Sequence, residues 1–471
     1  MEASSKTTDR ARKLLAQCRS SEKTIKELLA KRKKPSDPHV VSLRASVRDN
    51  YEEILFMDYA FASRKDVELS LWKCAFYKPI EEHRYKIRKL IQAARNMPEG
   101  GEHAMARQEA SKRFRGFLAE ANGFYTGLLR KMQSEFGLDA GGLLDIGGPL
   151  SMGRGDTLST TAHAGVGSWR NRTEAGYSSL HRCLVFLGDI ARYREQHRAD
   201  PPPRGQQHDW SSAFKYYEMA VRLLPTIGNP HNQLAVLATY VDDECAALYR
   251  YCRSLCARTP FETARDNMKL LFEKNVQKVH RLGQNRDGRH RQQRQPIEAQ
   301  LHTIQARFRT RFVRLHGILH TMHGIEGFGD VQTKVMQDLA FLHKGGLLDG
   351  ALALQLLSIN AFSLFQLHTL APPRTDRQAT AGAAAACACA FSLTCATYSM
   401  LVNLELKPKE GEDADDEGAG AKSMLGALVV FSEWIARDLL LIVSSQVIPT
   451  PLHVLGHISP ILSPFFSRFC A

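Results

Sequence analysis

The sequence predicts an all-α protein, and three observations support this fold class. Apolar residues recur at spacings of three and four from residue 9 to about residue 135, which is the period of amphipathic helices packed side by side. The alternation of apolar and polar residues that is typical of a strand does not occur over any comparable stretch. A motif of paired helices then repeats between residues 187 and 260. With 471 residues, the chain is long enough for two or three domains.

The region before residue 137 contains four predicted helices, each with one apolar face. The residues of these faces are, in order, Leu14, Cys18, Ile25 and Leu28; Val40, Leu43, Val47, Tyr51, Ile54 and Phe61; Leu69, Trp72, Phe76, Ile80, His83 and Ile87; and Phe114, Phe117, Ala121, Phe124, Leu128 and Met132. The fourth helix runs from about Ala106 to Phe136. Pro79 is expected to kink the third helix, because proline lacks the backbone N–H of a helix interior.

Two successive segments have the spacing of tetratricopeptide units, in which small residues lie where two helices touch and a proline closes the pair. The first unit contains Leu187-Gly188, Ala213, Tyr217, Ala220 and Pro225. The second contains Leu234-Ala235, Ala247, Tyr251, Ser254 and Pro260. Because small residues at these places let helices approach closely, we interpret them as packing residues.

Composition divides the rest of the chain. The segments 137–173, rich in Gly, Ser and Thr, and 195–209 are predicted to be surface loops. These features predict a helical domain over 1–270, a basic flexible linker over 271–306 and a region of helical hairpins over 307–471, which includes an acidic loop at 408–422.

The net charge and the sequence motifs limit the classes of function that this protein can have. The formal net charge of +14 favours anionic partners such as nucleic acid, phosphorylated protein or an acidic membrane surface. No HExxH, Walker A or GxSxG motif occurs, so we expect neither catalysis nor a cofactor or metal site. The first residues do not resemble a secretory signal, and the ten cysteines form no CxxC pair. We therefore expect a reducing compartment and unpaired cysteines.

Five segments together resemble the Est-one/SMG-seven family of nonsense-mediated mRNA decay adaptors and telomerase-activating proteins. They are LWKCAFYKPIEEHR (71–84), GFYTGLLRKMQ (123–133), CLVFLGDIARYR (183–194), YYEMAVRLLPTIGNPHNQLAVLATY (216–240) and YRYCRSLCARTPFETARDN (249–267). RFVRLHGILHT (311–321) is a weaker match and indicates the plant-type decay adaptor. The resemblance implies a 14-3-3-like tetratricopeptide domain followed by helical hairpins, often called the Est-one-type DNA/RNA-binding domain.

The resemblance also implies a function. It is that of a non-catalytic adaptor that binds phosphoserine on the phosphorylated RNA helicase of the decay pathway and supports recruitment of mRNA degradation. The alternative is a telomerase-associated factor with weak contact to RNA or telomeric DNA. A paralogous adaptor is an implied heterodimer partner, no membrane is involved, and the implied location is the cytoplasm, in mRNA processing bodies, or the nucleus.

Plant relatives usually continue into a long C-terminal tail that couples them to degradation, whereas this sequence ends at Ala471. The sequence is then either truncated or that of a divergent member, which would bind phosphorylated partners without passing the signal on.

The resemblance assigns Arg192 of ARYR to the phosphate, with the Tyr193 hydroxyl beside it. The family's lysine falls on Tyr77 here, so the second donor is Lys73, Arg84 or Lys78. At about 100° per residue Lys73 and Arg84 share a helix face, which favours them over Lys78, unless each is a solvated surface charge. Asn232 is a further candidate, as a hydrogen-bond donor to the phosphopeptide backbone or as a helix N-cap.

Overall fold

A computed structural model describes residues 2–31, 33, 35–94, 102–138, 166–198, 207–284, 297–369, 377–406 and 423–434. In these ranges the regular elements are helices, and the single β-bridge joins Ile227 and Thr259. The all-α prediction is therefore confirmed. The chain forms two compact units, Met1–Pro225 and Thr226–Ala471, which are described separately below as unit 1 and unit 2.

Unit 1 consists of eight named α-helices and one π-helical segment in its described part. They are α1 (Glu2–Ala30), α2 (Pro38–Met57), α3 (Tyr59–Arg64), α4 (Val67–Leu71), the π segment (Trp72–Tyr77), α5 (Lys78–Ala94), α6 (Glu102–Phe136), α7 (Val166–Gln196) and α8 (Ser211–Leu223). The predicted second helix is divided at Asp58, whose carboxylate accepts a hydrogen bond from the Phe61 backbone N–H at 2.9 Å and so caps α3.

Aromatic side chains form the centre of unit 1. The ring of Trp72 stacks on that of Phe186 with centroids 4.5 Å apart, and Tyr125 packs edge-on against both rings. Phe76 packs against Tyr125 with centroids 5.0 Å apart, and Phe114 of α6 is also fully buried. Burial of such large apolar side chains is the main source of stability for a helical layer, and it fixes the π segment, α6 and α7 as neighbours.

The proline in the third predicted helix changes the helix type. Trp72–Tyr77 is π-helical and ends directly before Lys78-Pro79. Proline removes one backbone donor and its ring collides with the carbonyl four residues earlier, and a π-helical turn is one way for a continuous helix to accommodate this. The prediction that Lys73 and Arg84 share one face assumed a uniform α-helix between them, and that assumption is wrong here.

Unit 2 contains α9 (Asn229–Tyr240), α10 (Glu244–Cys256), α11 (Thr263–Gln284), α12 (Ile297–Thr321), a 3-10 turn (Ile325–Gly327), α13 (Phe328–Lys344), α14 (Gly350–Thr369), α15 (Arg377–Glu405) and α16 (Leu425–Trp434). Ion pairs join two of these helices: the carboxylate of Asp338 on α13 is buried and accepts from Arg307 at 2.6 Å and from Arg311 at 2.7 Å, both on α12.

The structure places helices where the sequence predicted a flexible linker over 271–306. Residues 271–284 belong to α11 and residues 297–306 to α12. The residues between them lie outside the described ranges, as do 139–165 and 199–206 of the two predicted loops and the acidic loop 408–422. The predicted domain boundary at residue 270 falls inside α11, whereas the two compact units meet at residues 225 and 226.

Two helices of unit 2 are long and apolar enough to cross a membrane by length and composition, in the windows Gly350–Leu367 and Ala381–Glu405. Both are partly buried inside unit 2, where Leu356, Leu357 and Leu393 are inaccessible to solvent. Core helices satisfy the same criteria. The partial burial of both windows fits helices that pack in the core of unit 2.

Candidate phosphoserine site

The ARYR segment lies in the C-terminal part of α7, with its arginine and tyrosine turned into unit 1. Arg192 is 9% exposed and Tyr193 5% exposed. The helix is buried along this stretch because Leu187, Ile190 and Ala191 also face packed neighbours. An arginine with so little solvent access needs hydrogen-bond and charge partners inside the protein.

Arg192 has two partners, and both are buried or partly buried. Its Nη2 donates to Oδ1 of Asp189 at 2.9 Å, one turn earlier on α7, and its Nε donates to the hydroxyl of Tyr217 at 3.3 Å. The Tyr217 hydroxyl in turn donates to the same Oδ1 at 2.7 Å. Tyr217 is the aromatic residue of the first tetratricopeptide unit, so this packing residue also positions Arg192.

A second arginine joins this group from another helix. The guanidinium carbon of Arg192 lies 4.5 Å from the centroid of the Tyr193 ring, and that of Arg84 on α5 lies 4.9 Å from the same centroid. Both are within cation–π range. Arg84 is half-buried and also donates to Glu81 at 2.5 Å. One tyrosine ring therefore brings together two cations that are far apart in sequence.

The protonation states of the Arg192 and Tyr193 side chains favour the binding of an anion. Burial lowers the pKa of Arg192, but the nearby Asp189 and Tyr217 outweigh burial and hold this pKa well above its ordinary value. Burial raises the pKa of Tyr193, although Arg192 and Arg84 oppose that rise. Near neutral pH the site therefore offers charged guanidinium groups and a protonated hydroxyl, all of which donate hydrogen bonds.

The two lysine candidates lie apart from the Tyr193 ring contacts. Lys73 is exposed within the π segment, and Lys78 is exposed with its Nζ 3.9 Å from Sγ of Cys74. Of the three candidates for the second donor, the contact geometry of the described residues links Arg84 to Tyr193. We retain Lys73 and Lys78 as predicted donors that experiments can rank.

Asn232 lies in unit 2, near the start of α9, and is 3% exposed. Its Oδ1 accepts a hydrogen bond from Nδ2 of Asn267 at 2.9 Å. The alternative that Asn232 caps the helix is wrong, because α9 begins at Asn229 and Gly228 is the N-cap. Its predicted contact with a peptide backbone stays a prediction.

Sequence analysis did not identify Asp189 as part of the site. The available signal was its position three residues before Arg192, which is a spacing that brings opposite charges together on a helix. Such pairs are frequent on solvated helix faces, where they contribute little to the stability of the fold. What distinguishes this pair is its burial, with side chains only 11% and 14% exposed.

Two family descriptions match the chain. The family described as "Telomerase activating protein Est1" matches residues 66–198, and that described as "Est1 DNA/RNA binding domain" matches residues 213–448. The second match alone spans half of the chain. The chain belongs to the Est1/SMG7 family. This confirms the resemblance inferred from the ARYR segment and its neighbours, and the first match contains Arg84, Arg192 and Tyr193.

Two relatives show where the Est1/SMG7 chain lies within its family. It is 33% identical over 342 residues to "Nonsense-mediated mRNA decay factor SMG7" of Arabidopsis thaliana, which covers 67% of this chain and 31% of that protein. It is 26% identical over 414 residues to "Telomerase-binding protein EST1A" of Danio rerio, with 77% and 25% covered. The chain thus spans less than a third of the length of these relatives.

A solved structure supports the fold of this family member. "Crystal structure of Est1 and Cdc13" matches with a TM-score of 0.57 and 14% sequence identity, covering 82% of this chain and 71% of the matched chain. At this identity the similarity establishes the helical fold alone.

Proposed function

We propose that this chain is a non-catalytic adaptor of nonsense-mediated mRNA decay that binds phosphoserine motifs, with Arg192, Tyr193 and Arg84 as the phosphate-binding residues. One observation carries the proposal: guanidinium groups from α5 and α7 lie within 5 Å of the same tyrosine ring centroid. Phosphoserine has about −1.5 to −2 charges and three acceptor oxygens at neutral pH, so several converging donors recognise it.

The carboxylate of Asp189 affects how a phosphate can bind to Arg192. It already pairs with Arg192 at 2.9 Å, so a phosphate would share this guanidinium with a carboxylate. Arginine has five N–H donors, and the two hydrogen bonds of Arg192 to Asp189 and Tyr217 use two of them. Arg84 adds a second positive charge, which offsets the repulsion between Asp189 and the incoming phosphate. The proposal therefore requires both arginines.

The test compares matched peptides. Fluorescence anisotropy measures the affinity of the full chain for a Ser-Gln peptide in phosphorylated and unmodified form. We expect a clear preference for the phosphopeptide, and Arg192→Gln should weaken phosphopeptide binding about tenfold to a hundredfold, because it removes a charge-assisted hydrogen bond. Arg113→Gln is the control, since Arg113 is an exposed arginine of α6 paired with Glu109. Equal affinity of the wild type for both peptides would refute the proposal.

The proposed partner is the phosphorylated RNA helicase of the decay pathway, with a paralogous adaptor as a second partner and the cytoplasm or nucleus as the location. The relationship to Arabidopsis SMG7 supports the choice of pathway. Affinity purification of the full chain with and without phosphatase treatment tests the helicase. Its recovery should depend on phosphorylation, and recovery that phosphatase does not change would contradict a phosphoserine contact.

A second candidate function is nucleic-acid binding as a telomerase-associated factor. It is favoured by the match of residues 213–448 to a family described as DNA/RNA-binding and by the net charge of +14. Binding of this kind would act mainly on phosphates, so its affinity should fall steeply as salt concentration rises. A single-stranded RNA titration at several salt concentrations measures this slope. The absence of any binding at low salt would remove this candidate.

A further inference from the structure

A basic cavity lies in unit 1, on a different side of α7 from Arg192. It has a volume of about 380 Å³, and its lining includes Arg115 of α6 and both Arg194 and Arg198 at the end of α7. At about 100° per residue Arg194 is rotated by about 160° from Arg192. The cavity is therefore distinct from the phosphoserine site proposed above, and the inference drawn from it does not depend on that function.

One of the arginines that line this cavity has a donor without an acceptor. The Nη1 atom of Arg115 is shielded from solvent and has no hydrogen-bond partner in the part of the chain that the structure describes. A shielded guanidinium nitrogen without an acceptor costs free energy relative to the solvated group. The other N–H groups of Arg115 can donate to an anion in the cavity, because arginine has five N–H donors.

The carboxylates that line the cavity are engaged with other groups. Oε1 of Glu195 accepts from the backbone N–H of Asp209 at 2.9 Å and pairs with Arg198 at 3.4 Å. Oδ1 of Asp209 accepts from the backbone N–H of Ser211 at 2.9 Å. His208 also contacts Glu195, at 3.2 Å. Two carboxylates therefore face three guanidinium groups, and neither has a hydrogen bond to Arg115 or Arg194 among the described residues.

We propose that this cavity is a second anion site that binds a phosphate monoester. Guanidinium groups match the oxygens of phosphate with paired, charge-assisted hydrogen bonds, and the three that line this cavity can bind a doubly charged group. The volume of about 380 Å³ lies within the range of small-ligand sites, so it admits the phosphate together with the group that carries it. Ser212 adds a hydroxyl donor at the rim.

Isothermal titration of the full chain with inorganic phosphate, at constant ionic strength adjusted with chloride, tests this site. We expect saturable binding that Arg194→Gln and Arg115→Met each weaken at least tenfold. Arg194 is exposed on α7, so its variant tests the site even if the Arg115 variant fails to fold. Arg113→Gln, two residues from Arg115 on the same helix and paired with Glu109, should bind phosphate like the wild type.

Two outcomes support the assignment and three would overturn it. A phosphoserine peptide that still binds the Arg192→Gln protein, and loses this binding when Arg194→Gln is added, supports a phosphorylated protein segment as the source. Binding of inorganic phosphate alone supports a free phosphate. No saturable phosphate binding, unchanged binding in Arg194→Gln, or displacement of phosphate from the wild type by single-stranded RNA would overturn the monoester site.

Discussion

Gly188 and Tyr217 are in direct contact between α7 and α8. A Cβ atom added at Gly188 would lie 2.4 Å from Cε1 and 2.6 Å from Cδ1 of the Tyr217 ring, which is closer than such atoms approach in folded proteins. This explains why a tetratricopeptide pair has a small residue at this place: the tyrosine ring packs directly on the helix backbone. The same tyrosine donates to Asp189 and accepts from Arg192, so helix packing and the candidate site share one residue.

Gly188→Ala should therefore destabilise the protein. The Tyr217 ring is fully buried and must move to admit the methyl group, and overpacking of this kind costs about 1–3 kcal/mol. The free energy of unfolding, measured in urea, should fall by that amount, although alanine is the better helix former. Phosphopeptide affinity should also fall, because Tyr217 would no longer position Arg192.

The matched control is Gly123→Ala on α6, where nothing lies within 4 Å of the added Cβ. Here only helix propensity changes, so the free energy of unfolding should rise by up to about 1 kcal/mol. If both glycine variants stabilise the protein, the contact between Gly188 and Tyr217 is not tight.

Asp189→Asn should have a larger effect than the removal of an exposed carboxylate. The substitution leaves the Arg192 guanidinium buried without a counter-charge, which costs about 3–5 kcal/mol when a buried pair loses one partner. Urea unfolding at low salt measures this loss. A phosphopeptide should then stabilise the variant more than the wild type, because the phosphate replaces the missing negative charge.

The control for this prediction is Glu120→Gln, which removes an exposed carboxylate paired with Arg48 at 2.9 Å. Exposed pairs contribute about 0–1 kcal/mol, so this variant should unfold almost like the wild type. A loss for Asp189→Asn as small as that for Glu120→Gln would show that Arg192 does not depend on Asp189.

The three candidates for the second phosphate donor can be ranked by charge removal. Arg84→Gln should weaken phosphopeptide binding about tenfold, because Arg84 contacts the Tyr193 ring. Lys73→Gln and Lys78→Gln should each have a smaller effect, since both lysines are exposed. Fluorescence anisotropy with the same phosphopeptide gives the three affinities. A loss for Lys73→Gln that exceeds the loss for Arg84→Gln would reassign the second donor.

The sequence predicted the helices of unit 1 more accurately than their local geometry. The apolar period identified α2, α5 and α6 because one face of each is buried. It could not indicate the π segment at Trp72–Tyr77, since the response of a helix to Pro79 depends on how its neighbours pack. The comparison of Lys73 with Arg84 on one helical wheel was limited by this segment.

The basic segment after residue 270 shows a different limit of prediction from sequence. Its lysines and arginines suggested a flexible linker, yet Met268, Leu271, Phe272 and Asn275 of α11 are buried at helical spacing. The charged residues that dominate the composition lie on the solvated face of such a helix. The spacing of the buried residues is what indicates that the segment is helical. The partner of Arg192 was missed for a related reason, since only the packing of Tyr217 reveals that Asp189 is shielded.

Buried His316 makes the stability of unit 2 depend on pH. Its side chain is 2% exposed, its Nδ1 lies 2.7 Å from Oγ of Ser363, and burial lowers its pKa to about 3. The unfolded chain, with an ordinary histidine pKa near 6.5, binds a proton below that pH, whereas the folded chain does not. Stability from His316 is therefore complete above about pH 6.5 and is lost as the pH falls toward 3.

In the His316→Gln variant the unfolded chain no longer binds this extra proton at acidic pH. Between pH 6 and pH 4.5 the free energy of unfolding of the variant should fall less steeply than that of the wild type, by about 1.4 kcal/mol per pH unit for one proton. Urea unfolding at several pH values measures both slopes, and comparing the slopes cancels any constant loss from the changed packing at Ser363. Parallel slopes would mean that the folded chain protonates His316 as readily as the unfolded chain does, which would require solvent access that its position between Phe312 and Ser363 denies.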